Sequence, residues 1–310
     1  MKTLRIRFTD LGGLGNIIKA GIARFLGDFY LLEESETPEL VVFSNYGHDY
    51  LNYTCFRLFV SCENVSRISP FKADFAFGCN EITEFEWYCR LPYYRLAYES
   101  KELTRKRPQD LVSTWQNRAG VAVVVSNPMG RERNEFWEAM ECRSPVASGG
   151  HFRNNVGGPV PDKRNFLASF RFCICFENSS GTGYITEKLF DAWLAGCIPI
   201  YWGCTLQDGI NPKAVIHANH FGDWNQLADH VIEVNGNPEL QKQYLTEPLF
   251  PTGLPPNLED RAFALAFKSA FEQGSRLPRT FKKFHRMLRS ILEFRKELRR
   301  TLRPKWYQSP

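Results

Sequence analysis

The apolar positions fall into short buried runs separated by polar and glycine-containing turns. Leu4-Arg5-Ile6-Arg7-Phe8 alternates with the period of a half-buried strand. Glu39 to Phe43, Arg57 to Val60 and Phe75 to Phe77 are apolar runs too short for helices. They end respectively in Ser44-Asn45, Ser61-Cys62-Glu63-Asn64 and Gly78-Cys79-Asn80, before Tyr88-Cys89-Arg90-Leu91-Pro92. A second series has strands at Gly120 to Val125, Phe172 to Phe176, Ile198 to Trp202 and Ala214 to Ile216. Between and after them lie helical patterns through Phe136, Trp137 and Met140, through Leu189, Phe190, Trp193 and Leu194, and over Trp224–Val234 and Pro238–Leu245. Apolar strands separated by helix-length segments predict parallel sheets, whose ligands sit at the carboxyl ends of the strands. The fold class is therefore α/β, with two Rossmann-like units joined by the charged stretch 99–119. The expected boundaries are 1–117, 118–281 and a basic amphipathic tail, 282–310.

The Gly12-Gly13-Leu14-Gly15 run reads as a tight strand-to-helix turn. Its spacing fails the dinucleotide fingerprint, though such a first loop can line a cleft. The tail places Phe281, Phe284, Leu288, Ile291, Leu298 and Leu302 at spacings of three and four, interrupted by Arg295. That is an amphipathic helix with a basic face. It suits peripheral contact with an anionic membrane, a partner chain, or the protein's own core. Aromatic and basic residues do not interleave there as a nucleic-acid stacking surface requires.

Composition narrows the picture. With 43% hydrophobic and 24% charged residues, the chain is an ordinary globular protein. No apolar run approaches the roughly 20 residues of a spanning helix, and MKTLRIRFTD lacks a signal-peptide core. These features predict a cytoplasmic location. The nine cysteines include no CxxC pair and lie mostly in apolar patterns, which predicts reduced core thiols. The net charge of +5 is uneven: residues 276–305 carry twelve Lys/Arg against two Glu. His217 and His220 form an HxxH without a third ligand nearby and read as solvated loop residues. No Asp-x-Asp occurs, so no metal site is expected.

The most informative stretch is Phe170 to Gly203, FRFCICFENSSGTGYITEKLFDAWLAGCIPIYWG. A buried strand runs into a loop of small residues, and Thr186 stands where a helix N-cap belongs. Free N–H groups at a helix start make an anion site, and Lys188 adds a cation. A lysine so early in a helix opposes the macrodipole, so a negative group is expected beside it. FENSSGTGYITEK followed by IPIYWG resembles the donor-binding signature of glycosyltransferase family ten, the fucosyltransferases. SNPMGRERNEFWEA, SCEN and EWYCRLPYY are similar to further segments of that family. The resemblance covers most of residues 40–250.

The resemblance implies a GT-B architecture, two Rossmann-like domains facing across a cleft. It also implies inverting transfer of L-fucose from GDP-β-L-fucose to N-acetylglucosamine of N-acetyllactosamine-type glycans, in α-1,3 linkage with a Lewis X type product. Under it, Glu63 is the base, a role best filled in apolar surroundings. Arg133 and Lys188 clamp the diphosphate, with Arg131 the competitor of Arg133 and a helix-surface ion pair the structural alternative. Glu187 contacts the donor sugar, and Asn127, Asn178, Tyr184 and Thr186 line the pocket; for Thr186 the capping role is preferred. No cofactor or essential divalent metal is implied. Another nucleotide sugar, or an inactive nucleotide-sugar-binding protein, are the alternatives.

Overall fold

The computed structural model describes residues 1–65 and 67–301. The first unit contains β1 (Lys2–Phe8), α1 (Gly15–Leu26), β2 (Tyr30–Glu34), β3 (Leu40–Phe43), β4 (Phe56–Ser61), β5 (Phe75–Gly78), β6 (Tyr88–Arg90) and α2 (Tyr93–Ala97). Two short helices, α3 (Ser100–Leu103) and α4 (Leu111–Thr114), form the connection. The second unit contains β7 (Ala119–Val123), α5 (Arg131–Glu141), β8 (Val146–Ser148), α6 (Lys163–Leu167) and β9 (Phe170–Phe176). It continues with α7 (Glu187–Leu194), β10 (Ile198–Trp202), β11 (Ile216–His217), α8 (Trp224–Gly236) and α9 (Pro238–Thr246). Two further helices, α10 (Asp260–Gln273) and α11 (Arg279–Thr301), complete the described residues.

The first sheet has the order β2-β1-β3-β4-β5-β6 and the second β11-β10-β9-β7-β8, and the strand pairings are parallel in both. Read from the outer edge, both follow the order 2-1-3-4-5, which β6 extends by a sixth strand in the first sheet, so the switch points lie between β1 and β3 and between β7 and β9. Strand alternation explains the packing. Leu40, Val42, Leu58 and Val60 face one layer, while Val41, Phe43 and Phe59 face the other. In β9 the rings of Phe172 and Phe176 point to one core and the thiols of Cys173 and Cys175 to the opposite one. That opposite core runs without interruption into the first unit, where Tyr94 stacks on Phe190 of α7 at 4.1 Å.

Three features depart from the sequence expectation. β2 and β8 are unanticipated, because an edge strand and a three-residue strand carry little periodicity. The connections β3–β4, β4–β5 and β5–β6 are loops with a single 3-10 turn at Asp49–Asn52 among the described residues, not helices. These loops themselves cover that face of the sheet, through Tyr50, Ile68 and Ala73. Third, α10 was expected in the second unit but packs on the first. Phe263 meets Phe25 and Phe77, and Phe267 and Phe271 meet Phe56.

The start of α11 also belongs to the first unit. Lys282 is fully buried and donates to Asp74 at 2.5 Å, to the Cys55 carbonyl and to Ser275. Of the tail's predicted apolar stripe, Phe281 packs on Phe71, whereas Phe284 is 49% exposed. The side chains of Leu288, Ile291, Arg295 and Leu298, and all of Leu302, lie outside the described residues. No helix among the described residues is long and apolar enough to cross a membrane. The cysteines are unpaired; six are buried, and Cys142 alone is exposed.

Candidate active site

The carboxyl-terminal rims of the two sheets meet through loops that follow the strands. Asn64, after β4, donates to Ser179 Oγ at 2.8 Å and to the Ser180 carbonyl at 3.1 Å. Glu81, after β5, donates its N–H to the Thr182 carbonyl, and Arg90 reaches the Gly183 carbonyl and forks onto Asp208 at 2.6 and 2.9 Å. Gly183 is needed here: its φ is +81°, and a Cβ would lie 2.6 Å from the Arg90 guanidinium. The glycine- and serine-rich segment after β9 is therefore pinned against the first unit by these named contacts.

On the second rim, α5 begins two residues after the SNP segment, and its third residue, Arg133, points inward and is fully buried. Its guanidinium donates to Asn178 Oδ1 at 3.1 Å and to the Asn127 carbonyl at 2.7 Å, and its Nε has no partner. No carboxylate pairs with it among the described residues. Burial, with the nearby Arg153, pulls its pKa below the ordinary value. Arg131 is the residue that makes the helix-surface ion pairs, with Glu132 and Glu135, while 79% exposed. Asn127 itself is exposed, and its side chain accepts from Met129 N–H. The geometry thus separates the two arginines: one is a solvated surface group, the other a buried cation without a counter-charge.

A second cluster surrounds Glu177, the residue that follows β9, which is wholly buried. Its carboxylate accepts from Thr186 N–H at 2.7 Å, from the Thr186 hydroxyl and from Lys188 Nζ at 2.7 Å. Two expectations change. The N-terminus of α7 is only partly open to an anion, because the Glu177 carboxylate already takes the N–H of its N-cap residue, Thr186. The Thr186 hydroxyl does not cap the helix; it serves Glu177 instead. Glu177 is the negative group that the early lysine called for. Burial opposes the charge on Lys188, but Glu177 and Glu187 outweigh it and raise its pKa. An ammonium has three donors, and two are committed here, to Glu177 and Thr186.

Glu187 lies 3.6 Å from Lys163, which also binds Asp191 at 2.7 Å. Burial works against the Glu187 charge, yet Lys163 and Lys188 prevail and hold its carboxyl below the usual range. Tyr184, within the segment that joins β9 to α7, is buried. Sequence reasoning passed over Glu177 and Lys163 as functional groups. An acid ending an apolar strand was the available signal for the first; nothing near Lys163 in the sequence points to α7.

Glu63 stands on the first rim, exposed and not in the apolar surroundings expected of it, and accepts a hydrogen bond from the Tyr46 hydroxyl at 2.5 Å. Its neighbour Asn64 links it to Ser179, and so to Asn178 and Arg133. His217 is a correction: it is buried, not solvated, and its Nδ1 accepts from Asn219 N–H while its ring stacks on His220. No group of His, Cys, Asp and Glu suited to a metal ion occurs among the described residues.

Two Rossmann-like units of equal strand order, meeting at their carboxyl-terminal rims, define the GT-B class of folds. Comparison with known proteins agrees. The family described as "Glycosyltransferase family 10 (fucosyltransferase) C-term" matches residues 115–246, and "Alpha-(1,3)-fucosyltransferase FucT N-terminal domain" matches residues 6–98. With both halves matched, the chain belongs to glycosyltransferase family 10. The Helicobacter pylori alpha-(1,3)-fucosyltransferase FucT is 38% identical over 115 residues, 37% of this chain and 24% of that protein. An Arabidopsis thaliana alpha-(1,4)-fucosyltransferase is 34% identical over 79 residues, 25% of this chain and 20% of that protein. These alignments therefore span about a quarter or less of the relatives' length. A crystal structure of an alpha1,3-fucosyltransferase superposes with a TM-score of 0.73 at 25% identity, covering 87% of this chain and 90% of the other.

Proposed function

We propose that this protein is an inverting α-1,3-fucosyltransferase. It would move L-fucose from GDP-β-L-fucose to the N-acetylglucosamine of an N-acetyllactosamine-type glycan, giving a Lewis X type product. The observation that carries the reading is Arg133, a buried guanidinium at a strand-end rim with no carboxylate and with an unpartnered Nε. Such a cation costs free energy unless an anion completes it, and a diphosphate is the anion that guanidinium geometry suits. Asn178 is exposed, and a phosphate oxygen replacing its amide would meet the uncommitted donors of Arg133. Lys188 adds its third N–H from the same rim. Glu63 faces this site from the other unit, where it would take the proton of the acceptor hydroxyl.

A single base and direct displacement produce inversion without a covalent intermediate. With Arg133 and Lys188 stabilising the departing GDP, the reaction would need neither cofactor nor divalent metal. Glu187, Asn127, Tyr184 and Thr186 complete the donor side, Thr186 through Glu177. The exposed Phe284 and Met287 of α11, beside Lys283 and Arg286, fit peripheral contact with an anionic membrane. Co-sedimentation with anionic but not neutral vesicles checks that part; equal recovery with both would remove it.

The deciding experiment measures GDP release from GDP-fucose, with and without N-acetyllactosamine, in the presence of EDTA. Release that rises sharply with acceptor is expected. Release only after metal is restored would overturn the metal-free clamp. GDP binding without release would favour another nucleotide sugar or an inactive binding protein.

A further inference from the structure

The crevice at the β1/β3 switch point holds a contact that the reading above leaves unused. Tyr46 follows β3 and lays its ring over Gly12. Gly12 has a φ of +59°, and a Cβ there would lie 2.6 Å from the ring, so only glycine admits the tyrosine in this position. The hydroxyl of Tyr46 donates to Glu63 Oε1 at 2.5 Å. Among the described residues, Oε2 of Glu63 has no hydrogen-bond donor.

The loop carrying Tyr46 is fixed from two sides. From within, the Asp10 carboxylate accepts from the N–H groups of Asp49 at 3.1 Å and Tyr50 at 2.8 Å, and the Asp10 backbone is itself held at a φ of +56°. From outside, Arg289 of α11 donates to the His48 carbonyl and to Asp49. A two-sided anchorage of this kind is more than a surface tyrosine needs, and its result is a phenol aimed at one carboxylate oxygen.

We infer that Tyr46 is the positioning residue of the base: it engages Oε1 of Glu63 and so directs Oε2 at the acceptor hydroxyl. The inference rests on the reading of Glu63 as that base. An exposed glutamate otherwise distributes itself among rotamers, and each unproductive one subtracts from the rate. With Oε1 held, Oε2 takes the acceptor proton as the acceptor oxygen bonds to the anomeric carbon of fucose. The bond from that carbon to the diphosphate breaks, and its electron pair leaves with GDP. Burial, together with the adjoining carboxylate, raises the pKa of the phenol, which keeps it a donor throughout the neutral range.

The test is a double-mutant cycle in the full chain with Tyr46→Phe and Glu63→Gln, followed by steady-state and single-turnover fucosyl transfer. Tyr46→Phe keeps the ring over Gly12 and removes only the hydroxyl. It is expected to lower kcat by about 10- to 100-fold, the scale of a hydrogen bond to a charged group, with KM for GDP-fucose and the unfolding midpoint unchanged. In the Glu63→Gln background the same change is expected to add no further loss. A wild-type kcat for Tyr46→Phe beside an almost inactive Glu63→Gln would overturn the role of Tyr46 alone. So would an equal loss in both backgrounds, which marks a structural effect. Wild-type transfer by Glu63→Gln would instead remove the base, and this inference with it.

Discussion

Both sheets share the 2-1-3-4-5 strand order, but their rims are furnished in opposite ways. The first presents an exposed acid, Glu63, steadied by one phenol on a loop. The second draws its charges inward: Arg133 and Glu177 are buried, and the half-buried Lys188, Glu187 and Lys163 join Glu177 in a compensated ladder around the start of α7. The contrast shows where organisation precedes the ligand. Cations set in a fixed, water-poor rim need little rearrangement to stabilise a leaving diphosphate. A base must accept a proton from a large, variable sugar, and it sits on the open side. One topology thus serves two different chemical demands through its loops.

The comparison breaks most sharply at Glu63. Glu63→Gln is expected to reduce transfer about 10²- to 10⁴-fold, the range of a lost general base, while GDP affinity measured by calorimetry stays near that of the wild type. Equal losses in both would make Glu63 a structural residue. Next come the two arginines of α5. Arg133→Lys keeps the charge but loses the planar fork, and kcat should fall about 10²- to 10³-fold with weaker GDP binding. Arg131→Ala should leave both within about 0.5 kcal/mol, as for a surface pair. Reversal of that order would transfer the clamp to Arg131.

Lys188→Ala removes one donor and strands the buried Glu177 carboxylate, a loss of about 3–5 kcal/mol in stability. Adding Glu177→Gln should recover much of the unfolding midpoint but none of the lost GDP affinity. If affinity returned too, Lys188 would act only through Glu177. The smallest expected effect is that of pH. Glu187 is depressed below its ordinary 4.5, so its stabilising contribution is complete above that value and fades as pH falls through the folded one. Lys188 is raised above 10.5, so its contribution is complete below that value and fades as pH rises further. Thermal unfolding of Glu187→Gln should therefore depend less on pH than the wild type on the acid side; parallel curves would remove the linkage.

Much of this architecture was legible in the sequence because buried parallel strands are continuous apolar runs and polar residues mark their ends. Glu63 stands at such an end, and Arg133 and Lys188 lie in the first turns of the helices that follow two others. What escaped was the partnering of groups remote in sequence. Lys163 reaches α7 from a short helix that precedes β9, and Tyr46 finds Glu63 across the gap between two strand ends. The N-terminus of α7 looked fully open because a single sequence cannot show that Glu177 folds back onto the N–H of its N-cap residue, Thr186. Likewise, an amphipathic pattern such as that of α10 states that one face is buried but not which unit buries it.

That last helix has a consequence for biosynthesis. Phe263, Phe267 and Lys282 complete the core of the first unit, yet they emerge from the ribosome after the entire second unit has been made. The sheet translated earliest must therefore wait, with Phe25, Phe56 and Asp74 uncovered, until the later unit has been synthesised. Domains usually fold in the order of their synthesis; here the second is free to close first, and the nascent first unit is the stretch most in need of chaperone protection.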